Sequence, residues 1–437
     1  MSKILITFIQ PILDNNPNNL ICYYEGLIKE LNRFGNDVLR LNLITKYNKS
    51  KTLNKIKQFS PDVIFAFNNQ IKEDFIKVTN CPIVLFDADS IDLFNNIDLI
   101  KKYQERYFMV TSYEGWDDRY SKLGFSKNRI CSIHPATAIQ SKPLEKDKNI
   151  SFIGTNFDFN NNINIENFIK NDSDRRIYES LLYFWNNNDY NYKNYLKTFY
   201  KGKFSLFDLY CLFDSRTFIL NSILDLGLNL YGVGWDNLSN SNYALSSAFI
   251  KEPKYSLSHN QYVYNSSKIS ISISHPQTNG YAFPWRIYDI MASSGMLISA
   301  RADLLKKYTK GIVDIPMYDS PYDARDLCKK YLKEDSLRED IVALSNEYIE
   351  KFGRWQSNFE ILEYFWGIKL ISQKQQSIGH SGLIESKITN IKKQNKKFKN
   401  ITNGIFLILS NIPVVEKCFS YKNKLKLYKS IQKNKMI

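Results

Sequence analysis

The sequence predicts an α/β protein made of two successive Rossmann-like halves and a basic C-terminal tail. Three observations carry that reading. Short apolar, β-rich runs alternate with amphipathic helical patterns through the first 150 residues, a second such series starts at residue 150, and the positive charge gathers in the last 71 residues. Strands separated by helices need crossover connections, which make parallel, doubly wound sheets.

In the first half, strands are expected at 3–9 (KILITFI), 37–43 (DVLRLNL), 61–67 (PDVIFAF), 82–89 (PIVLFDAD), 107–112 (YFMVTS) and 130–136 (ICSIHPA). The segment LICYYEGLIKELNRFG between the first two repeats its apolar residues every three or four positions and ends on Gly35, a suitable helix C-cap. The second series opens with ISFIGT at 150–155, passes through an Asn-rich stretch, and resumes with a long helix ending near Gly227. Strands follow at 228–234, 268–274, 296–300 and 312–316, with a helix from about Trp285 to Ser294 between the second and third of them. A helical stretch of roughly 320–365 closes the series. The expected domains are 1–147, 148–366 including these closing helices, and the tail 367–437.

Composition narrows the class. With 437 residues, 43% hydrophobic and 24% charged, the chain is neither a disordered polyelectrolyte nor a membrane-embedded protein, and it is too long for a lone small binding module. The net charge of +15 raises nucleic acid as a partner, but its distribution argues otherwise. From Gly367 onward there are 15 lysines against Glu385 and Glu416, a net of +13, which leaves +2 for the first 366 residues. No nucleic-acid partner is expected of that body. Six cysteines without a C-x-x-C pair and only four histidines point to free thiols in a reducing compartment and to no zinc site. The N-terminus runs straight into a strand pattern, so a cytoplasmic protein is expected.

The segment 274–300, SHPQTNGYAFPWRIYDIMASSGMLISA, reads as strand, glycine-containing loop, helix and strand. Pro284 is expected at or near the first helical position, where its missing N–H costs nothing. Free N–H groups at the helix start suit an anion such as phosphate, and Gly280 lets the preceding backbone approach it. At about 100° per residue, Arg286, Asp289 and Ser293 share one stripe, while Ile287 and Met291 face the core. Arg286 can place a guanidinium on phosphate oxygens and Asp289 can accept from vicinal ribose hydroxyls, the needs of a nucleoside diphosphate. The competing reading is an ordinary i, i+3 surface pair.

The run G-Y-A-F-P-W-R-I-Y-D-I-M-A-S-S-G resembles the donor-binding motif of group 1 glycosyltransferases with the GT-B fold, usually written E-G-F-P-x-x-x-x-E-A-x-A-x-G. It is still more similar to the CgeB-like subgroup, where R-x-x-E-I-x-A-x-G is typical. ISFIGT, LYGVGW at 230–235 and the Y-x-Y-N-x-S-K-I-S-I-S-I-S run at 262–274 agree in order, so the resemblance covers about 150–365. It implies two Rossmann-like domains facing a cleft. It also implies transfer of a sugar from a nucleotide-sugar donor to a glycan or lipid-linked acceptor, as in bacterial capsule or lipopolysaccharide synthesis. Asp289 stands where the family meets the ribose, Ala282 and Phe283 at its G-F, and Tyr281 where many members carry a glutamate. Ser293, Ser294 and Gly295 match the A-x-G end. Gly154 and Thr155 match the turn near the diphosphate, and Gly232, Gly234 and Trp235 the approach to the base.

For acid/base work the first half offers Asp89 and His134 near the C-terminal ends of expected strands, where parallel sheets bind ligands; Asp87 can equally cap a helix. Lys251, His275 and Arg175 or Arg176 are candidates for neutralising a leaving diphosphate. No metal or further cofactor is expected, since the D-A-D of 87–89 lies in the first half. The alternatives are a sugar-nucleotide epimerase or hydrolase on the same fold, or a non-catalytic nucleotide- or RNA-binding protein.

The tail places lysine clusters at 391–399 and 421–429 around GIFLILSNIPVV at 404–415. Twelve residues broken by Asn and Pro do not span a bilayer about 30 Å thick, but they suit the interface of an anionic membrane. The alternatives are a solvated basic tail, or RNA binding through Phe398, Tyr421 and Tyr428 among the lysines.

Overall fold

The computed structural model describes residues 2–10, 19–44, 48–89, 91, 94–113, 115–156, 216–235, 243–251, 255–274 and 282–371. The chain divides into two compact units. The first comprises 1–19, 24–138 and the chain from Phe352 onward, and the second comprises 20–23 and 139–351. The chain thus returns to the first unit after Lys351, whereas the sequence reading carried the second domain through 366.

In the first unit, β1 (Lys3–Phe8), β2 (Asp37–Asn42), β3 (Val63–Phe67), β4 (Ile83–Phe86), β5 (Tyr107–Thr111) and β6 (Ile130–Ser132) form one sheet in the order β2-β1-β3-β4-β5-β6. Every pairing is parallel. The helices α1 (Cys22–Arg33), α2 (Lys49–Phe59), α3 (Glu73–Lys77), α4 (Ile97–Lys102) and α5 (Asp117–Lys122) make the crossovers. β3 and β4 are buried at every residue, as a sheet covered on both faces requires. Gly35 ends α1 at φ 87°, with Asn36 N–H bonded to Leu31 O at 3.1 Å, the expected left-handed cap. The strand expected over 130–136 is only three residues long.

In the second unit, β7 (Lys148–Ile153), β8 (Leu228–Tyr231), β9 (Ser267–Ser272), β10 (Met296–Ala300) and β11 (Met317–Tyr318) form a parallel sheet in the order β11-β10-β9-β7-β8. Among the described residues the connecting helices are α6 (Arg216–Ser222), α7 (Tyr243–Ser247), α8 (Leu257–Ser266), α9 (Arg286–Met291) and α10 (Asp303–Thr309). The strand expected over 312–316 forms instead at 317–318. The closing stretch is three helices, α11 (Pro321–Lys333), α12 (Asp335–Phe352) and α13 (Trp355–Trp366). Ser320 caps α11 by accepting from Asp323 N–H, with Pro321 in its first turn.

Each half is therefore a parallel sheet flanked by helices, the Rossmann-like pair that the sequence predicts. The last helix belongs with the first unit. Asn358 Nδ2 donates to His134 O at 2.9 Å, Phe359 meets Phe34 edge-on at 5.8 Å, and Trp366 lies 5.2 Å from Phe108.

Candidate functional site

Ligands of open parallel sheets gather outside the carboxyl ends of strands where the order reverses. In the second unit that point lies between β7 and β9. β7 runs into Gly154–Thr155–Asn156, and its ladder to β8 continues there, with Gly154 N–H bonded to Tyr231 O at 3.1 Å and Asn156 N–H to Val233 O at 2.9 Å. The facing turn after β8 is tight. Gly232 sits at φ 126°, and a Cβ there would come within 2.0 Å of Gly154 O, so only glycine fits. Trp235 is fully buried and donates its Nε1–H to Gly154 O at 2.7 Å. It braces the turn from below, so its ring has no face to stack on a base.

α9 carries two of the predicted residues, and the first of them reaches this place. Arg286 is half-buried and its Nη1–H donates to Ile153 O at 2.7 Å, at the end of β7. Asp289, one turn later and also half-buried, lies close enough to the buried Tyr264 hydroxyl that, after burial itself, it adds to the rise of that group's pKa. Ile287 and Met291 are buried as expected. The helix starts at Arg286, two residues beyond Pro284, and stops at Met291, so it is shorter than the expected 285–294.

Ser293 therefore lies past the helix and off its polar stripe. It is fully buried, donates to Ile290 O at 2.7 Å and accepts from Gly295 N–H at 3.0 Å, a structural cap. Gly295 is required for packing, since a Cβ there would lie 2.3 Å from Tyr264 O. Ala282 and Phe283 also turn inward, with the Phe283 ring 5.6 Å from Tyr288 and 6.0 Å from Tyr308. Lys251 is exposed, just after Ile250 pairs with Leu230. Gly280, Tyr281 and His275, like Arg175 and Arg176, lie outside the described residues.

Two residues without a sequence signal join the site. Arg216, at the start of α6, donates from Nη1 to Thr155 O. Tyr255 accepts the Val233 N–H at 2.9 Å and lies 3.3 Å from Thr155 Oγ1, tying the turns after β7 and β8 together. Its hydroxyl is raised by burial, while hydrogen bonds from Thr155 and Val233 and the fields of Arg286 and Arg216 pull it back. Arg216 is 61 residues from Thr155, and only the tertiary fold unites them.

In the first unit the three candidates have different surroundings. Asp87 is fully buried, accepting from Thr111 Oγ1, the Tyr120 hydroxyl and Ser112 N–H, and burial pushes its carboxyl up to about 8. Asp89 reaches the surface at the end of β4. Asn68 Nδ2 donates to its carboxylate at 2.7 Å, and Asn68 Oδ1 accepts from Ala88 and Asp89 N–H at 3.0 and 3.1 Å. His134 is buried beyond β6. With β5 between their strands, and strands about 4.8 Å apart, Asp89 and His134 belong to positions about 10 Å apart across the sheet. They do not form one hydrogen-bonded dyad. Among the described residues, no group of three His, Cys, Asp or Glu side chains is placed to hold a metal ion.

Residues 216–361 match the family model described as Glycosyl transferase-like. The match covers about a third of the chain and contains Arg216, Arg286 and Asp289. No curated protein sequence matches the chain. Similar solved structures include HepE of Anabaena in complex with UDP and glucose, at 9% identity and a TM-score of 0.48, covering 84% of this chain and 100% of that one. T4 phage BGT with its UDP-glucose substrate is 12% identical at a TM-score of 0.43, covering 80% and 95%. Sucrose-phosphate synthase of Thermosynechococcus elongatus is 11% identical at 0.45, covering 82% and 96%.

Proposed function

We propose that this protein is a glycosyltransferase that moves a sugar from a nucleotide-sugar donor to a glycan or lipid-linked acceptor. One observation carries the reading: Arg286 bonds the carbonyl at the end of β7, with Asp289 one turn further along α9, inside the segment that matches a glycosyltransferase family. Arg286 takes the donor diphosphate and Asp289 accepts from the ribose hydroxyls. An acceptor hydroxyl attacks the anomeric carbon, the bond from that carbon to the diphosphate oxygen breaks, and the nucleoside diphosphate leaves with the bonding pair. The acceptor proton passes to a base, for which Asp89 and His134 are the candidates. Charge grows on the diphosphate as the bond breaks, so the guanidinium acts most strongly in the transition state.

The test is a thermal-shift screen against UDP-, GDP-, CMP- and ADP-sugars, followed by mass analysis of the product formed with the best binder. Arg286→Ala and Asp289→Ala are each expected to weaken nucleotide binding by about 1–3 kcal/mol through lost charged hydrogen bonds. Calorimetric titration that leaves both variants equal to wild type removes the assignment.

We infer further that the tail holds the enzyme against an anionic membrane, where lipid-linked glycans such as capsule or lipopolysaccharide intermediates are built. Lysines near anionic lipid contribute about 1 kcal/mol each, and the tail holds 15 of them around an apolar run. Among the described residues no helix is long and apolar enough to cross a membrane. Full-length protein is expected to pellet with anionic liposomes in a salt-sensitive way. A chain ending at Ile371 is expected to stay in the supernatant, and equal pelleting of the two excludes the tail as the anchor.

A further inference from the structure

The geometry points to Arg216 as a positioning residue that fixes the turn after β7 and holds a permanent positive charge behind it, so that the turn receives a diphosphate. This inference rests on the nucleotide-sugar reading above and adds a residue to it.

The reasoning starts from two carbonyls. Gly154 and Asn156 bond through their N–H groups toward β8, which directs the Ile153 and Thr155 carbonyls to the other side, toward β9. Each of the two receives a guanidinium, Arg286 on Ile153 O at 2.7 Å and Arg216 on Thr155 O. Carbonyls two residues apart in extended chain are separated by about 7 Å, so the two cations stand side by side along one strand end. Both also flank the buried ring of Phe152, with guanidinium carbons 5.7 and 6.0 Å from its centroid.

The two arginines differ in exposure. Arg286 is half-buried and can meet a ligand, whereas Arg216 is 2% exposed and keeps its charge inside the protein. A charge in that position loses little to solvent screening, and its field is strong at short range. The field reaches the ligand side of the turn, because Arg216 and Arg286 both act on the Tyr255 hydroxyl, which contacts Thr155 Oγ1. Two cations brought to one turn favour a ligand that carries at least two negative charges. A nucleoside diphosphate answers that need, and a neutral nucleoside does not.

The experiment separates charge from shape. Arg216→Gln keeps an N–H donor for Thr155 O and removes the charge, whereas Arg216→Lys keeps the charge and loses the planar fork. Both are titrated calorimetrically with UDP, GDP, CDP and ADP and with the nucleoside matching whichever diphosphate wild type binds. Arg216→Gln is expected to lose about 10-fold or more in affinity for the diphosphate and less than twofold for the nucleoside, with Arg216→Lys within about threefold of wild type for both. Equal losses for diphosphate and nucleoside, or no loss for either, overturn the assignment and leave the nucleotide reading intact. A wild type that binds none of the four diphosphates overturns both. Should Arg216→Gln fail to fold, Arg216→Lys decides: near-wild-type diphosphate affinity supports the charge, and parallel loss of both ligands refutes it.

Discussion

Gly232 shows how one residue's geometry carries the site. Its φ of 126° excludes other residues, and its missing Cβ leaves the room taken by Gly154 O and by the Tyr255 hydroxyl, 2.6 Å from where that atom would lie. Gly232→Ala must therefore push the turns after β7 and β8 apart while straining its own backbone. Such combined clashes cost about 2–4 kcal/mol. Urea unfolding of the variant is expected to show that loss, together with weakened nucleotide binding, because the displaced backbone includes Gly154 and Thr155. A variant as stable as wild type would show that the turn has another low-energy arrangement. Tyr255→Phe acts more gently, since it removes the acceptor of the Val233 N–H and leaves the ring in place. It is expected to cost about 1–2 kcal/mol in the same measurement.

At the level of elements, Asp87 after β4, Thr111 in β5 and Tyr120 in α5 form a buried polar knot that closes one end of the first sheet. Burial raises the Asp87 carboxyl to about 8, against about 3.9 in an unfolded chain. A group whose folded pKa is raised stabilises the fold fully below its unfolded pKa, and this contribution fades as pH rises toward the folded value. Wild-type stability is therefore expected to fall between about pH 4 and pH 8 by at least about 2 kcal/mol from this group, and Asp87→Asn to remove that slope. Denaturant midpoints at pH 5 and pH 8 for the two proteins test this; parallel midpoints would place the pH dependence elsewhere. The sequence marked Asp87 as possible helix cap or site residue but held no sign of Thr111 and Tyr120 around it. The same limit recurs elsewhere. Periodicity located both sheets, because buried parallel strands are written as continuous apolar runs such as VIFAF. It set Arg286 and Asp289 one turn apart on a helix, as α9 has them, because helical spacing is local. It misplaced Ser293, because α9 ends two residues before it, and it missed Arg216 and Tyr255, whose roles depend on contacts across the sheet. Nor does the sequence show that the β9 serines are buried, with Ser270 and Ser151 hydroxyls 2.8 Å apart across to β7.

For the molecule as a whole, the last described residues carry the first unit past its final helix. The expected tail began at 367, directly after α13, but the chain beyond that helix is still bound to the first unit. Leu370 is 1% exposed, and its carbonyl accepts from Asn36 Nδ2 at 2.6 Å. Ser2 Oγ donates to Lys369 O, and Glu363 accepts from the N–H groups of Leu370 and Ile371 at 2.5 Å each. Residues 369–371 thus fasten the N-terminal strand and the first helix–strand turn to α13, even though they lie in the stretch where lysine begins to dominate the composition. Burying a leucine side chain contributes about 1.5–3 kcal/mol, and the carbonyl and N–H partners left behind lose their bonds as well. Truncation after Trp366 is expected to destabilise the first unit by about 2–4 kcal/mol in thermal or urea unfolding. Truncation after Ile371 is expected to leave the unfolding midpoint unchanged while removing 14 of the 15 tail lysines, since only Lys369 precedes Ile371. A chain ending at Ile371 therefore separates the tail's charge from the body's stability. If it unfolds as early as the chain ending at Trp366, residues beyond 371 also contribute to the fold of the first unit.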